Sequence, residues 1–105
     1  MFALTDNVRY FMCCTLIDIR NGFNGLAGIV QNRVEQDPSS GDVFVFLSKS
    51  KTQIKLLYRD HNGYVIYHKR LDKGTFDLLQ NRSESRELKR EELAEILQGA
   101  KLSKT

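Results

Sequence analysis

Between Lys49 and Lys73 stand seven basic residues, Lys49, Lys51, Lys55, Arg59, Lys69, Arg70 and Lys73, against two acids, Asp60 and Asp72. That stretch carries a net charge of +5, whereas the residues before it sum to −2 and those after it to zero. The whole-chain charge of +3 is a local patch diluted by its surroundings. Cations clustered along strands are the electrostatic footprint of phosphate-backbone recognition. Against this stands a plainer reading, in which Lys and Arg at strand ends serve solubility and block edge-to-edge pairing.

Other chemistry is thinner. The two histidines, His61 and His68, have no Ser, Cys or carboxylate at a spacing that suggests a triad. Asp18, Asp37, Asp42, Asp60 and Asp72 are scattered among turns, and a two-metal nuclease would need them to converge. Cys13 and Cys14 are adjacent and have no third thiol. A disulfide framework is excluded, and two cysteines without a second pair or a nearby His have the wrong ligand count for zinc. No metal and no cofactor is expected, and no catalytic residue.

The elements that would position the cations can be read from pattern. Arg9 to Ile17 is aromatic and β-branched and reads as a strand, with Tyr10, Met12 and Cys14 on one face and Phe11, Cys13 and Thr15 on the other. From Asn21 to Val34 the apolar residues Phe23, Leu26, Ala27, Val30 and Val34 recur at the helical period, with Asp18, Asn21 or Asn24 available as N-cap. Gly22, Gly25 and Gly28 fall inside it, although a glycine in a helix costs about 1 kcal/mol relative to alanine. Close packing on the sheet or a frayed first turn would explain them, as would a surface approached by a partner backbone.

Asp37 to Asp42 is a turn, with Pro38 fixing one φ and Gly41 permitting a positive one. Val43 to Leu47, apolar on both faces, reads as a central strand covered on both sides. Gln53 to Arg59 and Tyr64 to Leu71 follow as strands, joined at Asn62-Gly63, the strongest short hairpin signal in the chain. Asn81 to Arg90 is charged and reads as a flexible connector or an extended helix start. A short helix bearing Leu93, Ile96 and Leu97 closes the pattern, with Glu91 and Glu92 in its first turn and Gly99 as its stop.

The hairpin gives the charge a sharper form. A two-residue loop at Asn62-Gly63 puts Lys55 opposite Arg70, and a three-residue loop from His61 puts it opposite Lys69. Either way a cation faces a cation, at a cost of about 0.2–1 kcal/mol that an anion lying across the strands would reverse.

Five blocks in order, Ile17 to Leu26, Asp37 to Phe46, Lys55 to Tyr58, Lys69 to Phe76 and Glu92 to Gly99, resemble the TnpB accessory proteins of the IS-sixty-six family of bacterial insertion sequences. The resemblance covers about residues 2 to 102. It implies a small protein that works beside a separate transposase and does no cutting or joining itself. The motif positions it carries over are Asp18, Arg20, Gly22 and Gly25, the Asp37 to Phe46 block, and the cations Lys55, Lys69 and Arg70. Two departures bear on DNA contact: Lys49-Ser50-Lys51 stands where the family often has arginines, and Arg59 stands where it commonly has tryptophan. Lysine offers a point charge in place of a fork.

Length and composition complete the expectation. At 105 residues, 41% hydrophobic and 28% charged, the chain is one domain, residues 1–105, able to bury a core without metal or disulfide. No apolar run is long enough to span a bilayer and no signal peptide is legible, so a cytoplasmic location is expected. The expected fold is α+β: an antiparallel sheet of about four strands, the N-terminal strand joining a three-stranded meander, with one helix on a face, a short C-terminal helix at an end, and a disordered tail from 101 to 105. The expected function is a non-catalytic accessory factor of transposition that binds element-end DNA through Lys49, Lys51, Lys55, Arg59, Lys69, Arg70 and Lys73. The alternative is an adaptor that contacts the transposase or another small element-encoded protein through Asp18, Arg20, Gly22 and Gly25. A metal-dependent nuclease ranks third.

Overall fold

The computed structural model describes residues 7–76 and 85–98. In chain order they form β1 (Tyr10–Ile17), α1 (Phe23–Ile29, running on into a wider π turn over Val30–Val34), β2 (Val43–Ser48), β3 (Gln53–Arg59), β4 (Tyr64–Arg70), β5 (Ser85–Leu88) and α2 (Arg90–Leu97). The fold is α+β, and the sheet has five strands in the order β4-β3-β2-β1-β5. It is mostly antiparallel; the exception is β1 with β2, which run parallel because α1 carries the chain back across the sheet between them.

β2 is buried along its whole length between β1 and β3. Its alternate side chains feed two cores. Phe44 and Phe46 join Phe11, Cys13, Ile17 and Leu57 under Leu26 and Val30 of α1. Val43, Val45 and Leu47 join Tyr10, Met12, Ile54 and Leu56 on the other face, covered by Phe76 and by Leu93 and Ile96 of α2. The two faces read for the first strand are therefore the two faces of the sheet. α2 lies over the second face and not at the sheet's end. Cys13 is buried and Cys14 half-buried, both free, and burial, aided by the Cys14 thiol, holds the Cys13 thiol well above the usual thiol range.

β5 is the fifth strand, and it falls inside the stretch from 81 to 90 read as a connector. Ser85–Leu88 pairs antiparallel with β1. Its one apolar anchor is Leu88; the rest is held by the Arg9 guanidinium, which donates to both Glu87 carboxylate oxygens at 3.0 and 2.8 Å. Such a strand shows no apolar alternation. Residues 81–84, Gly99 and the tail from 101 lie outside the described residues.

The first helix starts differently from expectation, while the second has Glu91 and Glu92 in its first turn as read and no extended start. None of Asp18, Asn21 and Asn24 caps α1; the N-cap is Gly22, without a side-chain hydrogen bond. Asp18 is already occupied, since its carboxylate accepts from the Arg20 backbone amide and guanidinium. α2 starts at Arg90, with the Glu92 carboxylate accepting from the Lys89 amide at 2.8 Å. It cannot begin earlier because 85–88 belongs to the sheet.

The register of the β3–β4 hairpin also corrects the sequence reading. Asp60 donates its amide to Gly63, so the loop is His61-Asn62, one residue before the expected Asn62-Gly63. No residue from 60 to 63 has positive φ, so the left-handed geometry that favours Asn-Gly is not used. The observed pairing sets Ile66 opposite Leu57 and Tyr67 opposite Leu56. A two-residue loop at Asn62-Gly63 would have set His68 and Lys69 against those buried leucines, and a three-residue loop would have turned β4 over. Burial of one face decides register more strongly than a turn preference does. Among the described residues no helix is long and apolar enough to cross a membrane.

Candidate nucleic-acid interface

The corrected register moves Lys55. Its partner is His68, not Arg70 or Lys69, so no cation directly opposes another. Lys55 is also only 8% exposed. Its ammonium donates to the backbone carbonyls of Ile19, at 2.8 Å, and Asn21, at 2.7 Å. It thus holds the 18–22 loop, and through it the start of α1, against the sheet. Lys69, on the opposite face of β4, donates to the Leu97 carbonyl at the end of α2. A cation there satisfies a free carbonyl and meets the negative end of the helix. Two of the seven expected phosphate ligands are therefore engaged in holding the fold together. Arg59 stands apart as well, at the far end of β3, its guanidinium 5.2 Å from the centre of the Tyr64 ring.

The remaining four, Lys49, Lys51, Arg70 and Lys73, come together at one end of the sheet. Backbone hydrogen bonds define that end: Lys49 amide to Ile17, Leu71 amide to Thr52, and Phe76 amide to Lys51. Because β1 and β2 run parallel, the loop after β1 lies there too. Asp18 is close enough to Lys49 to feel its charge, and the Arg20 guanidinium, with Lys49, holds the Asp18 carboxyl well below the usual carboxylate range. A small groove of about 160 Å³ runs between Ile17-Asp18-Ile19 and Ser48-Lys49-Ser50. Among the described residues the side chains of Lys49, Lys51, Arg70 and Lys73 have no hydrogen-bond or ion-pair partner. Asp18, read as partner-binding, and Lys49, read as DNA-binding, are thus neighbours, which their separation in sequence conceals.

The turn that presents Lys49 and Lys51 is built by hydroxyls. Ser48 Oγ meets Ser50 Oγ at 3.1 Å and accepts from the Gln53 amide, and Ser50 Oγ meets Thr52 Oγ1 at 2.8 Å. Lys51 itself sits at φ 63°, in the left-handed region that an L side chain adopts at a cost of about 1–2 kcal/mol. Lys51→Gly should therefore raise stability by about 1 kcal/mol, seen as a higher denaturation midpoint, while removing a cation from this end.

Asp18, Arg20, Gly22 and Gly25 have separate local roles. Arg20 is 87% exposed at its side chain and lies on Asp18 at 2.7 Å. A Cβ at Gly22 or Gly28 would meet nothing within 4 Å, so neither glycine marks close helix–sheet packing. A Cβ at Gly25 would lie 2.2 Å from Asn21 Oδ1, where the Asn21 amide donates to the Asp18 carbonyl. Phe23, 48% exposed, is the exposed large apolar residue beside them.

Sequence reasoning missed Gln53 and His68. Both lie on the α1 side of the sheet beside Lys55 and Arg70, and His68 Nε2 meets Gln53 Oε1 at 2.8 Å. No local pattern could have found them, because their pairing depends on the register. The described residues bring no three of His, Cys, Asp and Glu together as a metal would need.

Comparison with known proteins agrees with the order of the blocks. The family model described as IS66 Orf2 like protein matches residues 8–105. Two curated proteins of Sinorhizobium fredii, strain NBRC 101917 / NGR234, the uncharacterized proteins y4hO and y4jC, are 36% and 32% identical over 76 residues. Those matches take in 72% of this chain and 66% and 65% of the relatives, so the chain spans just under two thirds of their length. No solved structure matches. With nearly its whole length matched, the chain belongs to the family of IS66 Orf2 like proteins.

Proposed function

We propose that the protein is a non-catalytic accessory factor of insertion-sequence transposition that engages DNA phosphates through the sheet end carrying Lys49, Lys51, Arg70 and Lys73. Membership of the family supports the accessory role. The observation that carries the DNA contact is the gathering of four unpaired cations at one end, while Lys55 and Lys69 are withdrawn into structural hydrogen bonds. Retention of element-end DNA by the purified protein at moderate salt tests this. The logarithm of its binding constant should fall against log salt with a slope of about 0.9 per phosphate engaged, and failure to retain any DNA at low salt overturns it.

One observation favours the adaptor reading as a second role. Gly22, where a Cβ would meet nothing within 4 Å, and the exposed Phe23 follow Arg20 at the start of α1, an apolar and sterically open patch. Loss of transposase pull-down in Phe23→Ser, with DNA retention unchanged, would assign that patch to protein contact.

A further inference from the structure

An open groove of about 300 Å³ lies over the β3–β4 strands, lined among the described residues by Gln53, His68 and Arg70. That is room for a group the size of roughly ten waters. We infer that this groove is a binding site for one phosphate group, held by the Arg70 guanidinium, the Gln53 amide and the His68 ring. The site rests on and deepens the DNA reading in that Arg70 serves both, but Gln53 and His68 are not among the four cations of that reading.

Register and charge carry the argument. Gln53 faces Arg70 and Lys55 faces His68, so four polar side chains share one patch of the sheet face where its apolar run stops. Lys55 at 8% exposure brings a charge that no carboxylate meets; its partners are the Ile19 and Asn21 carbonyls. Arg70 is exposed and unpaired. One exposed cation and an imidazole therefore line the groove, with the buried Lys55 charge on the same sheet face and no acid on either strand. His68 responds to that field: partial burial first, then the charges of Lys55 and Arg70, lower its pKa below the ordinary 6.5. An anion in the groove reverses both electrostatic contributions.

The donors have phosphate chemistry. Gln53 Oε1 accepts from His68 Nε2, which leaves the Gln53 NH₂ group free to donate and Nδ1 as the ring nitrogen that takes up a proton. Arg70 supplies a fork suited to two phosphate oxygens. The groups facing His68 are Gln53 and Lys55 on β3 and Arg70 on β4, with the 19–21 carbonyls from the loop already occupied by Lys55.

The test is a proton NMR titration of the two histidine rings in inorganic phosphate and in chloride at equal ionic strength. Phosphate should raise the His68 pKa and leave that of His61, in the hairpin loop at the far end, unchanged. Arg70→Ala should abolish the rise and weaken phosphate binding about tenfold. A short single-stranded oligonucleotide with and without a 5′-phosphate then separates the sources: an equal rise assigns the groove to backbone diesters, and a rise only with the phosphorylated strand assigns it to a terminal monoester. A His68 titration that is the same in phosphate and chloride overturns the site. Phosphate binding with no DNA retention leaves the groove and removes the DNA reading, whereas DNA retention unchanged in His68→Ala with no phosphate response removes the groove alone.

Discussion

Replacing Lys55 by methionine should lower stability by about 2–3 kcal/mol, because two carbonyls lose a charged donor and the remaining stem cannot replace it. In a domain of this size that corresponds to a fall of about 10–20 °C in Tm. The apolar stem is kept, so the change isolates the ammonium from the packing it accompanies. Lys55 holds the carbonyls of Ile19 and Asn21, so the loosening should be local first. Hydrogen exchange should quicken at the Asn21 and Leu26 amides, which bond to Asp18 and Gly22 in that loop and first turn, before it quickens in β2. A variant as stable as the parent would mean that the clamp is idle and that Lys55 is available to a ligand. The same result bears on any DNA-binding experiment: a triple variant of Lys55, Lys69 and Arg70 would disturb the loop and the end of α2 together with the charge, so weaker binding by it would not locate an interface.

Neutralising Lys49, Lys51, Arg70 and Lys73 together, each to glutamine, should weaken DNA binding by about a hundredfold at low salt, even if each contact contributes only about 0.7 kcal/mol, as exposed ion pairs do. The salt dependence is the more telling readout. Each lost phosphate contact removes about 0.9 from the slope of log binding constant against log salt, so the variant's line should be shallower by about 3 to 4. Stability should barely change, because none of the four side chains has a hydrogen bond or ion pair to lose among the described residues and the substitution at position 51 leaves the backbone unaltered. An unchanged slope would place the DNA contact elsewhere or remove it. Arg59→Gln, at the opposite end and stacked on Tyr64, is the matched control and should leave the slope as it is.

Particular residues show how far sequence carried. The period of Leu26, Ala27, Val30 and Val34, the alternation of Tyr10 to Cys14 and the unbroken apolar run of Val43 to Leu47 were all legible, because each depends only on which faces of a local element meet the core, whereas Phe23, read into the same helical stripe, is 48% exposed. The ordered blocks pointed to the family, which the match over 8–105 shows. β5 was not legible: Ser85–Leu88 is held by Arg9 to Glu87, a pairing across 78 residues that leaves no local pattern. Nor was the parallel pairing of β1 and β2, which follows from where α1 returns the chain.

What the sequence by itself determined is the set of cations, their concentration between Lys49 and Lys73, and the strands that bear them. Only the tertiary structure divided them. One residue of hairpin register set His68 opposite Lys55, because the leucines of β3 required Ile66 and Tyr67 across from them. Burial then committed Lys55 to the 18–22 loop and placed Lys69 under the end of α2. The charges left unpaired were those whose carbons no core needed. A side chain's charge is a property of its residue, but whether that charge is available to a ligand depends on what the fold packs around it.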